Sequence, residues 1–162
     1  MDEILEILEK DARTTPKEIA KMTGKKESVV KQKILEYEKK GIILKYRAVL
    51  NEEAIKDKNF NEVRALIEVS ISPERGVGFD KVAERIYSFS EVKSCYLLSG
   101  GYDLLLIVTG KNINCVGNFV AEKLSTIDHV RGTQTHFILK KYKQSGDIFY
   151  TRKKDKRLAI SL

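Results

Sequence analysis

Cysteine is scarce in this chain: Cys95 and Cys115 are the only two, and they fall in unrelated segments. That excludes the dense disulfide framework that staples small extracellular domains. Histidine is equally scarce, with His129 and His136 alone, and no C-x-x-C, H-x-x-x-H or comparable spacing occurs. No metal site is therefore expected, because ligands come at short, recognisable intervals. Carboxylates in the second half are scattered rather than paired, so no catalytic residue, no cofactor and no enzyme activity are expected. His136 and Cys95 fall within strand-like runs, where core packing accounts for them. No apolar run approaches the ~20 residues that span a bilayer. The amino terminus lacks a basic stretch leading into an apolar one. The expectation is a cytoplasmic protein with no membrane partner. Glutamine is sparse while Lys, Glu and Ile abound, a leaning shared with thermophile proteins that points to an archaeal source.

The 162 residues, 42% hydrophobic and 33% charged, suit one ordinary domain or two small ones with packed cores. Net charge is +7, and its distribution matters more than its total. From Thr15 to Leu50 there are ten Lys or Arg against four Asp or Glu. Residues 61–145 carry eleven against nine, and residues 146–162 five against two. A basic excess concentrated in the first third favours a polyanionic partner, provided an element there can enter a groove.

The first fifty residues supply one. Ile4, Leu5 and Leu8 mark a short helix with acidic residues at its start. Thr15-Pro16-Lys17-Glu18 opens a second: Thr as N-cap, Pro at the first helical position, Glu18 closing a capping box. Ile19 and Met22 form its expected inner face, and Gly24 its stop. A third helix is expected from Lys26 to Lys40, closed by Gly41. At 100° per residue, Val30, Ile34 and Tyr37 share one narrow face, and Ser28, Lys31, Gln32 and Leu35 the opposite one. The outer face offers donors, an amide and an apolar group, which suit base edges and phosphates. Ile42 to Leu50 then reads as an extended wing carrying Lys45 and Arg47. Helix, helix, glycine turn, helix, wing is a helix-turn-helix plan with the third helix as reader. The plain alternative is a three-helix bundle with a solvated third helix. Expected base contacts are Ser28, Lys31 and Gln32, and expected phosphate contacts Lys26, Lys33, Lys45 and Arg47.

Residues 51–61 read as a polar linker. Glu62 to Ser72 alternates as a strand, with Ala65, Ile67, Val69 and Ile71 on one side. Pro73 and Gly76 break it. Phe79, Val82, Ala83 and Ile86 mark a helix, Val92 to Leu98 and Tyr102 to Thr109 two strands, and Val116, Phe119, Val120 and Leu124 another helix. Val130 to Tyr142 is the last strand. The order β-α-β-β-α-β is that of a ferredoxin-like domain, two helices covering one face of an antiparallel sheet. The strand around Leu104 to Val108 is apolar on both sides, with Leu105 and Ile107 opposite Leu104, Leu106 and Val108. Its second side needs a cover that two helices cannot give. The economical cover is the same face of a second copy, so an isologous homodimer is expected, with pseudo-palindromic half-sites on DNA about one helical turn, or a multiple of it, apart. Between those two strands, Gly100 and Gly101 are expected to supply positive φ in a hairpin and Asp103 to stabilise the turn.

Together these residues resemble the Lrp/AsnC (feast/famine) family of transcription regulators. The likeness runs through Ile4 to Leu8 with Asp11-Ala12-Arg13, Glu18-Ile19-Ala20 with Gly24, Val30 to Ile34, Gly41-Ile42-Ile43, Ser99-Gly100-Gly101-Tyr102-Asp103, and Thr133 with Thr135. Lys26 stands where the family commonly caps the reading helix with Ser, and Asp128-His129 where it often has Pro-Gly. The resemblance implies dimers assembling into octamers, and an amino-acid effector near the glycine turn. Implied effector contacts are Ser99, Gly100, Gly101, Tyr102, Asp103, Thr133 and Thr135. The fold class read is α+β: a winged helix-turn-helix over 1–50, a linker over 51–61, a ferredoxin-like dimerisation and effector domain over 62–143, and a basic tail over 144–162. The function read is a sequence-specific double-stranded-DNA-binding regulator, with a nucleoid-type architectural protein as the alternative and a ferredoxin-like enzyme as a minor one.

Overall fold

The computed structural model describes residues 2–51, 55, 62–72 and 78–149. The expected linker (apart from 51 and 55), the Pro73-to-Gly76 break and the chain beyond 149 lie outside the described residues. The chain divides into two units, Met1–Leu50 and Asn51–Leu162.

The first unit is three helices: α1 (Glu3–Lys10), α2 (Pro16–Thr23) and α3 (Glu27–Lys39). Asp2 caps α1, its carboxylate accepting from the Ile4 amide at 2.9 Å. Asp11 ends it: its carboxylate accepts from the Arg13 amide at 2.9 Å and its carbonyl from the Thr14 hydroxyl at 2.8 Å. The Asp-Ala-Arg sequence is thus a chain-reversing Asx turn. The capping box at Thr15 and Glu18 is formed on both sides, and Gly24 and Gly41 take φ of 67° at the ends of α2 and α3, a backbone state that glycine reaches without penalty. Ile4, Leu8, Ile19, Ala20, Val30 and Tyr37 form the core. Met22, expected inside, is 67% exposed; Ala20, one residue after Ile19, points inward in its place. The wing differs as well. Among residues 42–50 there is no strand pairing, and the Tyr46 hydroxyl fastens the segment by donating to Glu38 at 3.0 Å.

The second unit holds β1 (Val63–Ile71), α4 (Asp80–Tyr87), β2 (Val92–Leu97), β3 (Leu104–Gly110), α5 (Ile113–Asn118) and β4 (Val130–Phe137). The sheet order is β2-β3-β1-β4, antiparallel throughout, so the fold class is the α+β one expected. Ala65, Ile67, Val69 and Ile71 of β1 and Leu104, Leu106 and Val108 of β3 pack on Val82, Ile86, Val116, Phe119 and Leu124 from the helices. The helix at α5 continues through Phe119–Leu124 with a wider winding, in which the Ser125 amide reaches five residues back to Val120. That widening brings Phe119 and Leu124 to the same buried side. A Cβ on Gly110 would sit 3.0 Å from Val116 Cγ2, so glycine lets α5 lie close on β3.

The last strand ends at Phe137 rather than Tyr142. The chain crosses over, and β5 (Lys143–Gln144) pairs with β6 (Asp147–Ile148). Ser145 and Gly146 turn between them with φ of 50° and 93°, a two-residue turn suited to a twisted hairpin. Residues 144–149, expected within a tail, are therefore folded, and Phe149 is buried.

Candidate functional site

In the first unit, α3 presents the expected two faces. Val30 and Tyr37 are buried; Ser28, Lys31, Gln32 and Leu35 are exposed. Lys26, Lys33, Lys45 and Arg47 are exposed as well. Lys26 precedes α3 with no side-chain cap, so the first α3 amides keep unsatisfied donors and a positive end suited to phosphate. Two lysines have intramolecular partners. Lys31 pairs with Glu27 one turn back at 2.7 Å, and its ammonium holds the Glu27 carboxyl below the usual carboxylate range. Lys33 lies 5.7 Å over the Tyr37 ring. Both contacts are at the surface, where water screens them, so they yield readily to a phosphate. Val29 and Met22 add exposed apolar surface of the kind that meets thymine methyls. Sequence reasoning omits them because an apolar residue near a helix core reads as core; exact placement around the helix is the only signal that separates them.

The reading helix is held by a polar link across the unit. The Tyr37 hydroxyl donates to Asp2 at 2.7 Å. The carboxylate partner pushes the Tyr37 pKa up to about 12, and the same bond, aided by the Ile4 amide, draws Asp2 below its ordinary value. One carboxylate therefore caps α1 and pins α3.

In the second unit, the turn between β2 and β3 closes with the Leu98 amide donating to the Asp103 carbonyl at 2.9 Å. Gly100 and Gly101 are not among the residues with positive φ, contrary to expectation. A Cβ at either would meet nothing within 4 Å, so what they provide is bare, approachable backbone. Asp103 does more than stabilise its turn. Its amide donates to the Val69 carbonyl at 3.0 Å, and its carboxylate Oδ2 accepts from the Ile71 amide at 2.7 Å. This is where the β1–β4 register shifts between Ser70 and Ile71, so Asp103 satisfies a donor at the bulge. Ser99, Gly100 and Gly101 are exposed and Tyr102 half-buried.

Thr133 and Thr135 lie opposite Val69 and Ile67 on β4. Directly paired residues share a sheet face, so both threonines flank the helix-covered side. Leu104 is opposite Val69 on the other side of β1, which puts the glycine turn and the threonines two strand spacings apart, ~10 Å. One chain does not bring the two halves of the expected effector site together.

The other sheet face carries Leu66, Leu105 and Ile107, each half-buried, and the segment from Ile138 to Gln144 lines a cavity together with Leu66 and Ile107. His136 is here too, exposed and 3.2 Å from Glu68, so core packing does not account for it. Cys95 does pack on the core, and burial pushes its thiol up. His129 takes φ of 73°, the left-handed state, at a place where the family often has glycine. Among the described residues, no three His, Cys, Asp or Glu side chains cluster to hold a metal, and no helix is long and apolar enough to cross a membrane.

Comparison with known proteins assigns both units. Residues 3–43 match the family described as winged helix-turn-helix DNA-binding, and residues 64–148 match the Lrp/AsnC ligand binding domain. The chain is 47% identical over 159 residues to YugG, an uncharacterized HTH-type transcriptional regulator of Bacillus subtilis, covering 98% of this chain and 95% of that one. It is 30% identical over 145 residues to the HTH-type transcriptional regulator FL11 of Pyrococcus furiosus, covering 90% and 91%. Among solved structures, the transcriptional regulator NMB0573 of Neisseria meningitidis, in complex with L-Met, matches with a TM-score of 0.67. It is 27% identical, over 88% of this chain and 89% of that one.

Proposed function

The chain belongs to the Lrp/AsnC family of helix-turn-helix transcription regulators, and from that premise we propose how its residues divide the work. Residues 1–50 bind duplex DNA, 62–143 dimerise and receive an effector, 51–61 link the two and 144–162 form a basic carboxy-terminal segment. The observation that carries the DNA reading is the outer face of α3, where Ser28, Lys31 and Gln32 stand exposed opposite buried Val30 and Tyr37. Ser28, Lys31 and Gln32 contact bases; Lys26, Lys33, Lys45 and Arg47 contact phosphate. Selection from random duplexes with the full chain should return a pseudo-palindromic consensus. Lys31→Ala with Gln32→Ala should relax it at one or two positions, by ~1–3 kcal/mol each. No consensus would turn the reading to an architectural protein, and an unchanged consensus in the double variant would move recognition off this helix.

The protein works as a dimer through the sheet face of Leu66, Leu105 and Ile107, and its dimers assemble further into octamers. Ile107→Arg would place a charge at the centre of that face, and sedimentation should then return a monomer; an unchanged mass would rule the face out. The effector is an amino acid. Asp103 takes its ammonium, and the Gly100 and Gly101 amides, with the Ser99, Thr133 and Thr135 hydroxyls, take its carboxylate, beside Tyr102. Support comes from the solved relative bound to L-Met. Because the turn and the threonines are ~10 Å apart in one chain, the site closes where a neighbouring copy meets this one. Binding then shifts assembly state and hence DNA affinity. Calorimetry against the twenty amino acids, with no heat and no change in sedimentation, would end that reading. The protein acts in the cytoplasm and catalyses no reaction. An archaeal source finds no support, since the relative sharing 47% identity is from Bacillus subtilis.

A further inference from the structure

Most of what α3 turns outward is polar, yet two of its large apolar side chains are turned outward as well. Val29 is 44% exposed and Leu35 55%, and neither belongs to the core around Ile4, Ile19, Val30 and Tyr37. A single apolar residue on a surface needs no explanation; the placing of these two does. Val29, Gln32 and Leu35 stand at i, i+3 and i+6, so they form one oblique row across the outer face, with the amide in the middle. The row advances ~4.5 Å along the helix axis per side chain, against ~3.4 Å between base pairs of a duplex. Side chains so spaced reach neighbouring base pairs. Charge selects a nucleic acid as the partner of this row. From Thr15 to Leu50 ten Lys or Arg stand against four Asp or Glu, a balance complementary to phosphate. The carboxylates at the edges of the row are already paired, Glu27 with Lys31 at 2.7 Å and Glu36 with Lys40 at 2.6 Å.

We propose that this row makes α3 a reader of A·T pairs: Gln32 takes N6 and N7 of one adenine, and Val29 and Leu35 cover the methyl groups of thymines on either side of it. The inference rests on the DNA-binding reading above and deepens it by naming the bases of the half-site. Adenine presents an N7 acceptor beside an N6 donor, which the Gln amide matches with its own donor and acceptor. Thymine alone among the four bases presents a methyl group in the major groove. An apolar side chain gives no hydrogen bond to the cytosine amino group or the guanine O6. Covering those edges with Val29 or Leu35 would leave a polar group with neither water nor partner. The row therefore discriminates twice, by attraction to A·T and by a penalty against G·C. Loss of one buried methyl, ~0.8 kcal/mol, corresponds to ~4-fold in affinity.

The test uses the full chain and the consensus duplex returned by selection from random DNA. Deoxyuridine replaces each thymidine of the half-sites in turn, which deletes a methyl and keeps the base pair, and binding is read by anisotropy. Uracil should weaken the parent about 4-fold at two positions flanking an adenine, and 7-deaza-adenine at that adenine should weaken it as well. Val29→Ala should bind the thymine duplex more weakly and lose the uracil response at one of the two positions, Leu35→Ala at the other. Gln32→Ala should lose the response to 7-deaza-adenine. All three truncate exposed side chains to a strong helix former, so circular dichroism and sedimented mass should match the parent. Uracil tolerated within about 1.5-fold at every position overturns the proposal. So does a half-site of G·C pairs, or a uracil response undiminished in both Val29→Ala and Leu35→Ala. K31A/Q32A is measured beside them. If it relaxes the consensus while uracil is tolerated, α3 still reads bases and the methyl contacts alone fall. If it leaves the consensus unchanged, or if no consensus is returned, the α3 reading and this one fall together.

Discussion

Replacing Asp103 by Ala removes the acceptor of the Ile71 amide and leaves that donor beside a side chain only 5% exposed. A hydrogen bond to a charged group contributes ~1.5–3 kcal/mol, and an orphaned donor adds the cost of its lost hydration; about 2 kcal/mol is expected here. Asp103→Asn keeps an oxygen at the same reach but without charge, so about half of that should return. The Asp103 main chain, which bonds Leu98 and Val69, stays in place in both variants. The assay is amide hydrogen exchange of the full chain. At 1.4 kcal/mol per tenfold, Ile71 should exchange about 30-fold faster in the Ala variant and about 5-fold faster in the Asn variant. With a urea slope near 2 kcal/mol/M, the unfolding midpoint of the second unit should fall by about 1 M and 0.5 M. An Ile71 rate within twofold of the parent in Asp103→Ala would show that the carboxylate does not hold the bulge. Asp103 would then be kept for the effector alone.

Two further outcomes follow from the same physics. Tyr37, pushed up to about 12, should be the late-ionising tyrosine in an absorbance titration, and Tyr37→Phe should remove that last step. Its raised value means a contribution to stability present below pH 10 and lost as pH rises through about 12. Asp2, drawn below its ordinary 3.8, contributes above that value and loses its contribution as pH falls through its lowered one. Equal stability of parent and Tyr37→Phe at neutral pH would remove the link between α1 and α3. His129→Gly should stabilise the second unit. Relief of the left-handed backbone returns ~1–2 kcal/mol, less ~0.4–1 kcal/mol for the looser unfolded chain. A net gain of roughly 0.5–1 kcal/mol raises Tm by about 3–6 °C, and a lower Tm in calorimetry would refute it.

The helices and strands were legible because their signals are local. Thr15 and Glu18 form their capping box within four residues, Gly24 and Gly41 take the left-handed state next to the turns they end, and the alternation of Ala65, Ile67, Val69 and Ile71 follows from strand geometry alone. Met22 and Val29 were not legible, since apolar character does not say which way a side chain faces when the core has enough neighbours already. The end of β4 at Phe137 was not either: Ile138 to Tyr142 continues a partly apolar and aromatic pattern, and the Ile138 amide still donates to the Arg64 carbonyl of β1 as the chain turns away. The candidate DNA face was read from helical spacing. The effector residues came from resemblance, and their separation across β1 is a property of the sheet order.

What the sequence determined by itself is the order of elements, the two-sided hydrophobicity of Leu104 to Val108 and the outward set on α3, because each depends on the period of one element. What tertiary structure alone decided is which long-range partners those elements serve. The Asp103 carboxylate reaches Ile71 and the Tyr37 hydroxyl reaches Asp2, thirty-two and thirty-five residues away in the chain. No local pattern encodes such a pairing; it exists only once the strands and helices have packed and a buried donor needs an acceptor.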